Sequence, residues 1–409
     1  MKRITVKGGH SLVGGVAVSG SKNAALPIIF SCILINGVSE IENLPDIGDV
    51  RVALEILENF GAVIDRCDNL TKIDTRRLSY KRPNERLVSS IRASTYLLGS
   101  CLARFGVSDI MQFGGCSFSS RPIDMHLDAC TTLGARLEGD RLLTYRLVGA
   151  QVNFDKRSVG ATVNAILLAV SAKGHTVITG GAREPHIDAL IDFLISCGAE
   201  ITRIGDELHI DGRELHGGSI TVIGDMIEAG SYLALGLMTG GRISVNNCPV
   251  SDMDAVFSAF TDLGADVILE KDRAECVLKE RGKPLNIVTN PYPGFPTDLQ
   301  PIFAPLMASL SGGEITDTVW QGRFGYLRSL ADFGVNSIVS ANHARILKSH
   351  IHRGVSKAPD LRGGFACLAS ALLAQGRSEI YSAEIILRGY ESLADKLCAL
   401  GADIKIDDI

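Results

Sequence analysis

A chain of 409 residues is too long for one compact core and points to two or three domains. Hydrophobic residues at 46%, charged residues at 21% and a formal charge of −5 give an ordinary soluble globular balance. They argue against nucleic acid as an obligatory partner, which calls for a basic excess, and no apolar stretch is long enough to make a membrane span.

The first residues, Met-Lys-Arg-Ile-Thr-Val, alternate like a strand and lack the apolar run of a secretory leader. Strands are expected at Ile4–Lys7 and Gly15–Val18. The polar cluster Ser19-Gly20-Ser21-Lys22-Asn23 then opens an apolar segment, Asn23–Ile35, with the length of a buried helix. Gly37 is expected to stop it in a left-handed conformation. A short strand, an amphipathic helix over Val50–Asn59, a second glycine at Gly61 and strands at Ala62–Arg66 and Leu70–Asp74 complete a βαβαββ unit. The same order returns six times, at a period of roughly 65–70 residues. The first glycines of the units are Gly37, Gly106, Gly174, Gly241, Gly313 and Gly376; the second are Gly61, Gly134, Gly198, Gly264, Gly334 and Gly401. Later helices of the two kinds fall at Ala161–Ala172, Met125–Leu133 and Leu393–Leu400.

Six units predict an α/β protein of two domains, each of three units with helices packed inside sheets. The expected boundaries are 21–224 for one domain and 1–20 plus 225–409 for the other, which the N-terminal strands would close by pairing with the last unit. The chain would then cross twice, forming a hinge of the kind that lets an enzyme close on its substrate.

Each unit opens its first helix with different polar residues: Lys22-Asn23, Arg92, Ser158 to Gly160, Asp225 to Glu228, Asp298, and Asp360 to Arg362. One scaffold reused in this way builds one site from several units. Lys22, Arg92 and Arg362 put a cation where the helix dipole is already positive, which suits a bound anion. The stretch Gly114-Gly115-Cys116-Ser117-Phe118-Ser119-Ser120-Arg121-Pro122 reads as a Gly/Ser-rich loop. Cys116 there is either an inert thiol or one activated by Arg121. The other cysteines, ten in all with Cys116, show no metal-ligand spacing and fit buried free thiols of a reducing cytosol. Met125, Ala129 and Leu133 form a core stripe, and His126 reads as a satisfied polar contact. In Gly294-Phe295-Pro296-Thr297-Asp298, Thr297 or Asp298 is placed either to cap the next helix or, for Asp298, to accept a proton.

Eight marks occur in order along the whole chain. They are Ser19 to Pro27, Arg92-Ala93-Ser94, Gly114-Gly115-Cys116 with Arg121-Pro122-Ile123-Asp124, Ser158-Val159-Gly160-Ala161-Thr162, Ala182-Arg183-Glu184-Pro185, Phe295-Pro296-Thr297-Asp298, Asp360-Leu361-Arg362 and Arg388-Gly389-Tyr390-Glu391. Together they resemble the enolpyruvyl transferase family, in the branch that takes UDP-N-acetylglucosamine as acceptor. The resemblance implies the inside-out α/β barrel fold and a cytoplasmic enzyme of peptidoglycan synthesis, a monomer or weak homo-oligomer without metal or cofactor. Its substrates would be phosphoenolpyruvate and UDP-N-acetylglucosamine. By the same resemblance, Lys22, Arg121 and Arg388 hold the phosphate and carboxylate of phosphoenolpyruvate, with Arg92 also in the basic cleft, and Arg362 is a further substrate-binding candidate. Asn23 contacts the sugar, and Asp298 takes the proton of its 3-hydroxyl. Cys116 is the loop thiol that adds to phosphoenolpyruvate or acts as acid, and the target of fosfomycin. Arg121, Pro122, Ile123, Asp124, Met125, His126, Lys156, Ser158, Val159 and Gly160 line the uridine-diphosphate pocket, while Val319 and Arg323 lie beside the sugar. The chain departs from the family at Phe118-Ser119, where Ile-Gly is usual, and at Met226, where Arg is common. A sister enzyme with another acceptor, shikimate 3-phosphate or a different uridine nucleotide, and a non-catalytic nucleotide-binding paralogue are the alternatives.

Overall fold

The computed structural model describes residues 1–114, 122–279 and 282–409. The chain packs into two units, one of Met1–Ser19 with Gly224–Ile409, the other of residues 20–114 and 122–223. Each has its own apolar core.

The centre of each core is helical. In the unit of residues 20–223 the central helices are Lys22–Ser31, Leu97–Phe105 and Val159–Ala169. In the other they are Met226–Met238, Gln300–Leu310 and Leu361–Leu373. These segments have almost no polar face. Every residue from Ala161 to Ala169 is buried, as is every residue from Leu361 to Leu372. A helix apolar all round can sit only in an interior. The second helix of a unit is different. Gly48–Phe60 buries Val50, Ala53, Leu54 and Leu57 on one side and turns Arg51, Glu55 and Glu58 to solvent, the spacing of an outer amphipathic helix. Helices inside and sheets outside is the inside-out α/β arrangement that the sequence leads one to expect.

Five four-stranded sheets and one three-stranded sheet surround the central helices among the described residues. One order recurs in the four-stranded sheets. Gln151–Asn153 runs parallel to His175–Thr179, which pairs antiparallel with Glu207–Asp211, which pairs in turn with Glu200–Ile204. The second repeat departs from it. Its sheet joins only Val107–Asp109, Arg141–Leu143 and Arg136–Glu138. Where a leading strand would lie, Asn84 accepts a hydrogen bond from the Arg86 N–H and starts the helix Glu85–Ser90.

The N-terminal strands separate. Lys2–Gly8 enters the sixth sheet between Gly376–Tyr381 and Asp403–Asp408. Val13–Ala17 instead runs parallel to Arg242–Asn246 in the fourth. The expectation that both pair with the last unit therefore fails for the second strand.

All six second-position glycines are left-handed, with φ from 87° at Gly334 to 106° at Gly61, so the period reports a real backbone constraint. The first-position glycines are mixed. Gly106 is the left-handed end of its helix, but Gly37 and Gly241 do not have positive φ, and the expected left-handed stop fails there. Their constraint is close approach of backbone. A Cβ on Gly241 would lie 1.9 Å from the Leu12 carbonyl oxygen, and one on Gly37 2.6 Å from the Gly217 nitrogen. Among the described residues no helix is long and apolar enough to cross a membrane.

The two kinds of glycine separate experimentally. Gly264 has φ 99° and nothing within 4 Å of an added Cβ, so Gly264→Ala should lose only the left-handed backbone penalty, about 1–2 kcal/mol. Gly241→Ala must also displace the Leu12 carbonyl and should lose more. Thermal denaturation should rank Gly241→Ala below Gly264→Ala; equal melting temperatures would contradict this assignment.

Candidate functional site

Asp298 precedes the central helix Gln300–Leu310, and the helix gives no capping role to it. The N-cap is Leu299, which makes no side-chain cap. The capping expectation for Thr297 or Asp298 therefore fails, because both side chains are engaged elsewhere. Arg323 Nη2 donates to Asp298 Oδ1 at 2.7 Å, and Arg362 Nε donates to Oδ2 at 3.1 Å. Each carboxylate oxygen thus takes one guanidinium, an arrangement that suits an ionised acceptor. Both arginines are buried, while the Asp298 side chain keeps 31% of its surface exposed.

Arg362 is held by its own helix start. Asp360 caps Leu361–Leu373 by accepting from the Arg362 and Gly363 N–H groups, which aligns the first turn. The guanidinium lies 5.5 Å from the Tyr390 ring centroid, within cation–π range. Its two Nη atoms are buried and make no hydrogen bond among the described residues. Buried N–H groups of a cation without acceptors are costly, and the ring and hydroxyl of Tyr390 stabilise this guanidinium. Arg388 ends the short helix Ala383–Arg388 and is half-buried. Val319 turns its backbone N–H to Asp317 Oδ1 at 2.9 Å.

The other unit carries the remaining described candidates. Lys22 is the first residue of its helix, after a Ser21 that makes no side-chain cap. Its ammonium lies 3.4 Å from Asp49 Oδ2, so a buried carboxylate fixes the cation that opposes the helix dipole. Asn23 is half-buried beside it, and Arg92 opens the 3₁₀ turn Arg92–Tyr96. Ser158 caps Val159–Ala169 by accepting from the Ala161 N–H. One turn further on, Asn164 Nδ2 meets His126 Nδ1 at 2.7 Å. The amide can only donate there, so Nδ1 accepts and the ring proton sits on Nε2. Gly160 makes room for that ring, since an added Cβ would lie 2.7 Å from His126 Cε1. His126, Ser158, Val159 and Gly160 are thus brought to one place. Pro122, Asp124 and Lys156 are exposed, with Ile123 and Met125 half-buried. Cys116 and Arg121 lie outside the described residues.

Asp49 and Asn164 are partners of candidate residues that sequence reasoning missed. Asn164 had a signal, a lone amide inside the apolar run Ala161–Ala172. Asp49 had none, because its partner is 27 positions away. In the unit that holds Asp298, Glu228 accepts from the Ser19 N–H and from Lys396, each carboxylate oxygen taking one donor. Burial pushes the Glu228 carboxyl up to about 7, against the opposing pull of Lys396.

Burial, and then the charge of Arg92, lower His126 from 6.5 to about 4. The neutral ring is the native form, so the folded state binds fewer protons than the unfolded chain between these values. Its contribution is complete above pH 6.5 and is lost as pH falls towards 4, on the order of 3 kcal/mol in all. Urea denaturation at pH 7 and pH 5 should show a smaller acid loss in His126→Gln than in the parent; parallel losses would exclude His126 as a source.

Comparison with known proteins follows the same lines. The profile of the EPSP synthase (3-phosphoshikimate 1-carboxyvinyltransferase) family matches residues 6–397. The chain is 37% identical over 419 residues to the UDP-N-acetylglucosamine 1-carboxyvinyltransferase of Geobacter metallireducens, covering 99% of both. It is 38% identical over 416 residues to the protein of that name from Streptococcus pneumoniae serotype 2, again covering 99% of each. The solved enolpyruvyl transferase NikO from Streptomyces tendae superposes with a TM-score of 0.89 at 26% identity, over 99% of each chain. With its repeats, its inside-out packing and these full-length likenesses, the chain belongs to the EPSP synthase family of enolpyruvyl transferases.

Proposed function

We propose that this protein transfers the enolpyruvyl group of phosphoenolpyruvate to the 3-hydroxyl of UDP-N-acetylglucosamine, releasing phosphate, as the committing step of peptidoglycan synthesis in the cytoplasm. The observation that carries the acceptor is identity of 37–38% over 99% of the chain to relatives named for this reaction. The arginine-held carboxylate of Asp298 supplies a place for the proton that the reaction must remove.

In this reading Lys22, Arg121 and Arg388 take the phosphate and carboxylate of phosphoenolpyruvate, with Arg92 and Arg362 adding positive charge. Asn23, Val319 and Arg323 flank the sugar, and the segments from Arg121 to His126 and from Lys156 to Gly160 receive the uridine diphosphate. Cys116 delivers a proton to C3 of the enol, C2 becomes electron-poor, and the sugar oxygen bonds to C2 as its proton passes to Asp298. Loss of a proton from C3 then re-forms the double bond and breaks the C2–O bond to phosphate. A carboxylate held by two guanidinium groups is a weak base, but the hydroxyl becomes acidic as its oxygen bonds to C2, so a weak base suffices. Fixed cations around two anions do the rest electrostatically.

Phosphate release from phosphoenolpyruvate should require UDP-N-acetylglucosamine and should not occur with shikimate 3-phosphate; the reverse preference would overturn the reading. Asp298→Ala should lower kcat by at least about 10²-fold with its melting transition retained. Near-normal turnover would remove Asp298 as the base.

Fosfomycin tests Cys116. Seven of the nine other cysteines are buried, and burial pushes thiols such as Cys130 and Cys367 up to about 12, which suppresses the reactive thiolate. Mass spectrometry should place a single adduct on Cys116, formed faster with UDP-N-acetylglucosamine present. An adduct on Cys67 or Cys398, the exposed pair, would count against it.

A further inference from the structure

Behind Asp298 stands a second carboxylate that the reaction scheme does not use. Asp317 ends the strand Gly313–Asp317 and is 1% exposed. Its Oδ1 accepts three hydrogen bonds, from Thr289 Oγ1 at 2.8 Å and from the backbone N–H groups of Val319 and Trp320, each at 2.9 Å. Its Oδ2 accepts from Thr297 Oγ1 at 2.6 Å. Thr297 Oγ1 in turn accepts from Arg323 Nη1 at 2.9 Å, and the other terminal nitrogen of the same guanidinium holds Asp298.

The direction of these bonds is fixed by chemistry. A hydroxyl has one proton to give. Because Asp317 is an acceptor only, Thr297 gives its proton there and turns lone pairs to Arg323, which is a donor only. We propose that Asp317, through Thr297 and Arg323, is a positioning residue that sets where and how firmly the Asp298 carboxylate is held. The inference rests on the reading of Asp298 as the group that takes the hydroxyl proton.

An amide in place of the Asp317 carboxylate would interrupt the chain by removing the acceptor of the Thr297 proton. With three donors already on the oxygen at the Oδ1 position, the Asp317→Asn side chain would have to turn its NH₂ to Thr297. That hydroxyl would accept from the amide and lose the acceptor of its own proton, so its lone pairs would no longer be aimed at Arg323 by Asp317 and the guanidinium would be held less firmly. Asp298 would then face a less firmly placed cation. Loosening a nearby positive charge disfavours the ionised carboxylate, so the acid limb of the kcat–pH profile should move to higher pH, a response that simple loss of stability does not produce.

The test measures kcat against pH for Asp317→Asn, Thr297→Val, Thr297→Ser, Asp298→Asn and the Asp317→Asn/Thr297→Val pair. Asp317→Asn and Thr297→Val should each lower kcat about 10–10²-fold, the scale of a misplaced catalytic group, with the acid limb raised. The double variant should be no worse than Asp317→Asn alone, because both act through one chain of contacts. Thr297→Ser, which restores the hydroxyl, should recover most of the turnover lost in Thr297→Val. If Asp317→Asn fails to fold, the Thr297→Val and Thr297→Ser pair decides. Thr297→Val with parental kcat and acid limb, or Thr297→Ser as impaired as Thr297→Val, overturns the inference while an inactive Asp298→Asn leaves Asp298 as base. Near-parental turnover in Asp298→Asn overturns both.

Discussion

The rest of the structure depends on helices that are apolar on every side. Such a helix must be enclosed, so sheets are wrapped around three of them in each unit and no face is left for polar chemistry. Polar side chains are then concentrated at the first turns, where unpaired N–H groups meet the end of the core. Lys22, Ser158, Asp225, Asp298 and Arg362 all lie at or just before such a start. A single packing rule thus delivers a polar or charged residue at the helix start of five of the six repeats.

A buried start also demands that each charge find a partner, and the partners differ from unit to unit. Asp225 and Asp360 use the N–H groups of their own helices. Lys22 opposes its helix dipole and is steadied by Asp49. Asp298 forgoes its helix for two arginines, one of them from the first turn of another central helix. Carboxylates that resemble one another in sequence therefore separate into caps and reactive groups according to what lies opposite them.

The repeat was legible because it is written in glycines whose backbone angles tolerate little else, and in helices whose apolar runs stand out from their neighbours. Three features were not. Among the described residues the second repeat shows no leading strand, and Asn84 starts a helix there instead. The destination of Val13–Ala17 depends on a sheet edge more than two hundred residues away. Gly37 and Gly241 carry the same letter as their equivalents for a different reason, contact rather than curvature. At the site, Asp298 could be picked out from its motif, whereas Asp317 and Asp49 look like any surface aspartate until their distant donors are in place. Sequence pattern reports periodicity and helix starts; it does not report partners that meet only through the fold.

The placement of strand Lys2–Gly8 has a consequence for how the molecule is made. It lies inside the sixth sheet, with Lys2 opposite Asp408 and Gly8 opposite Gly376. During synthesis those neighbours emerge from the ribosome long after Lys2–Gly8 itself. The unit of residues 20–223 has all its strands and helices available while the remaining chain is still being translated, and domains fold as units in that setting. The unit of residues 1–19 and 224–409 must instead keep Lys2–Gly8 unpaired until Gly376–Tyr381 and Asp403–Asp408 arrive. Biogenesis is therefore nested in sequence, with the unit of residues 20–223 able to mature first and the sixth sheet completed only when the strand Asp403–Asp408 pairs with Lys2–Gly8.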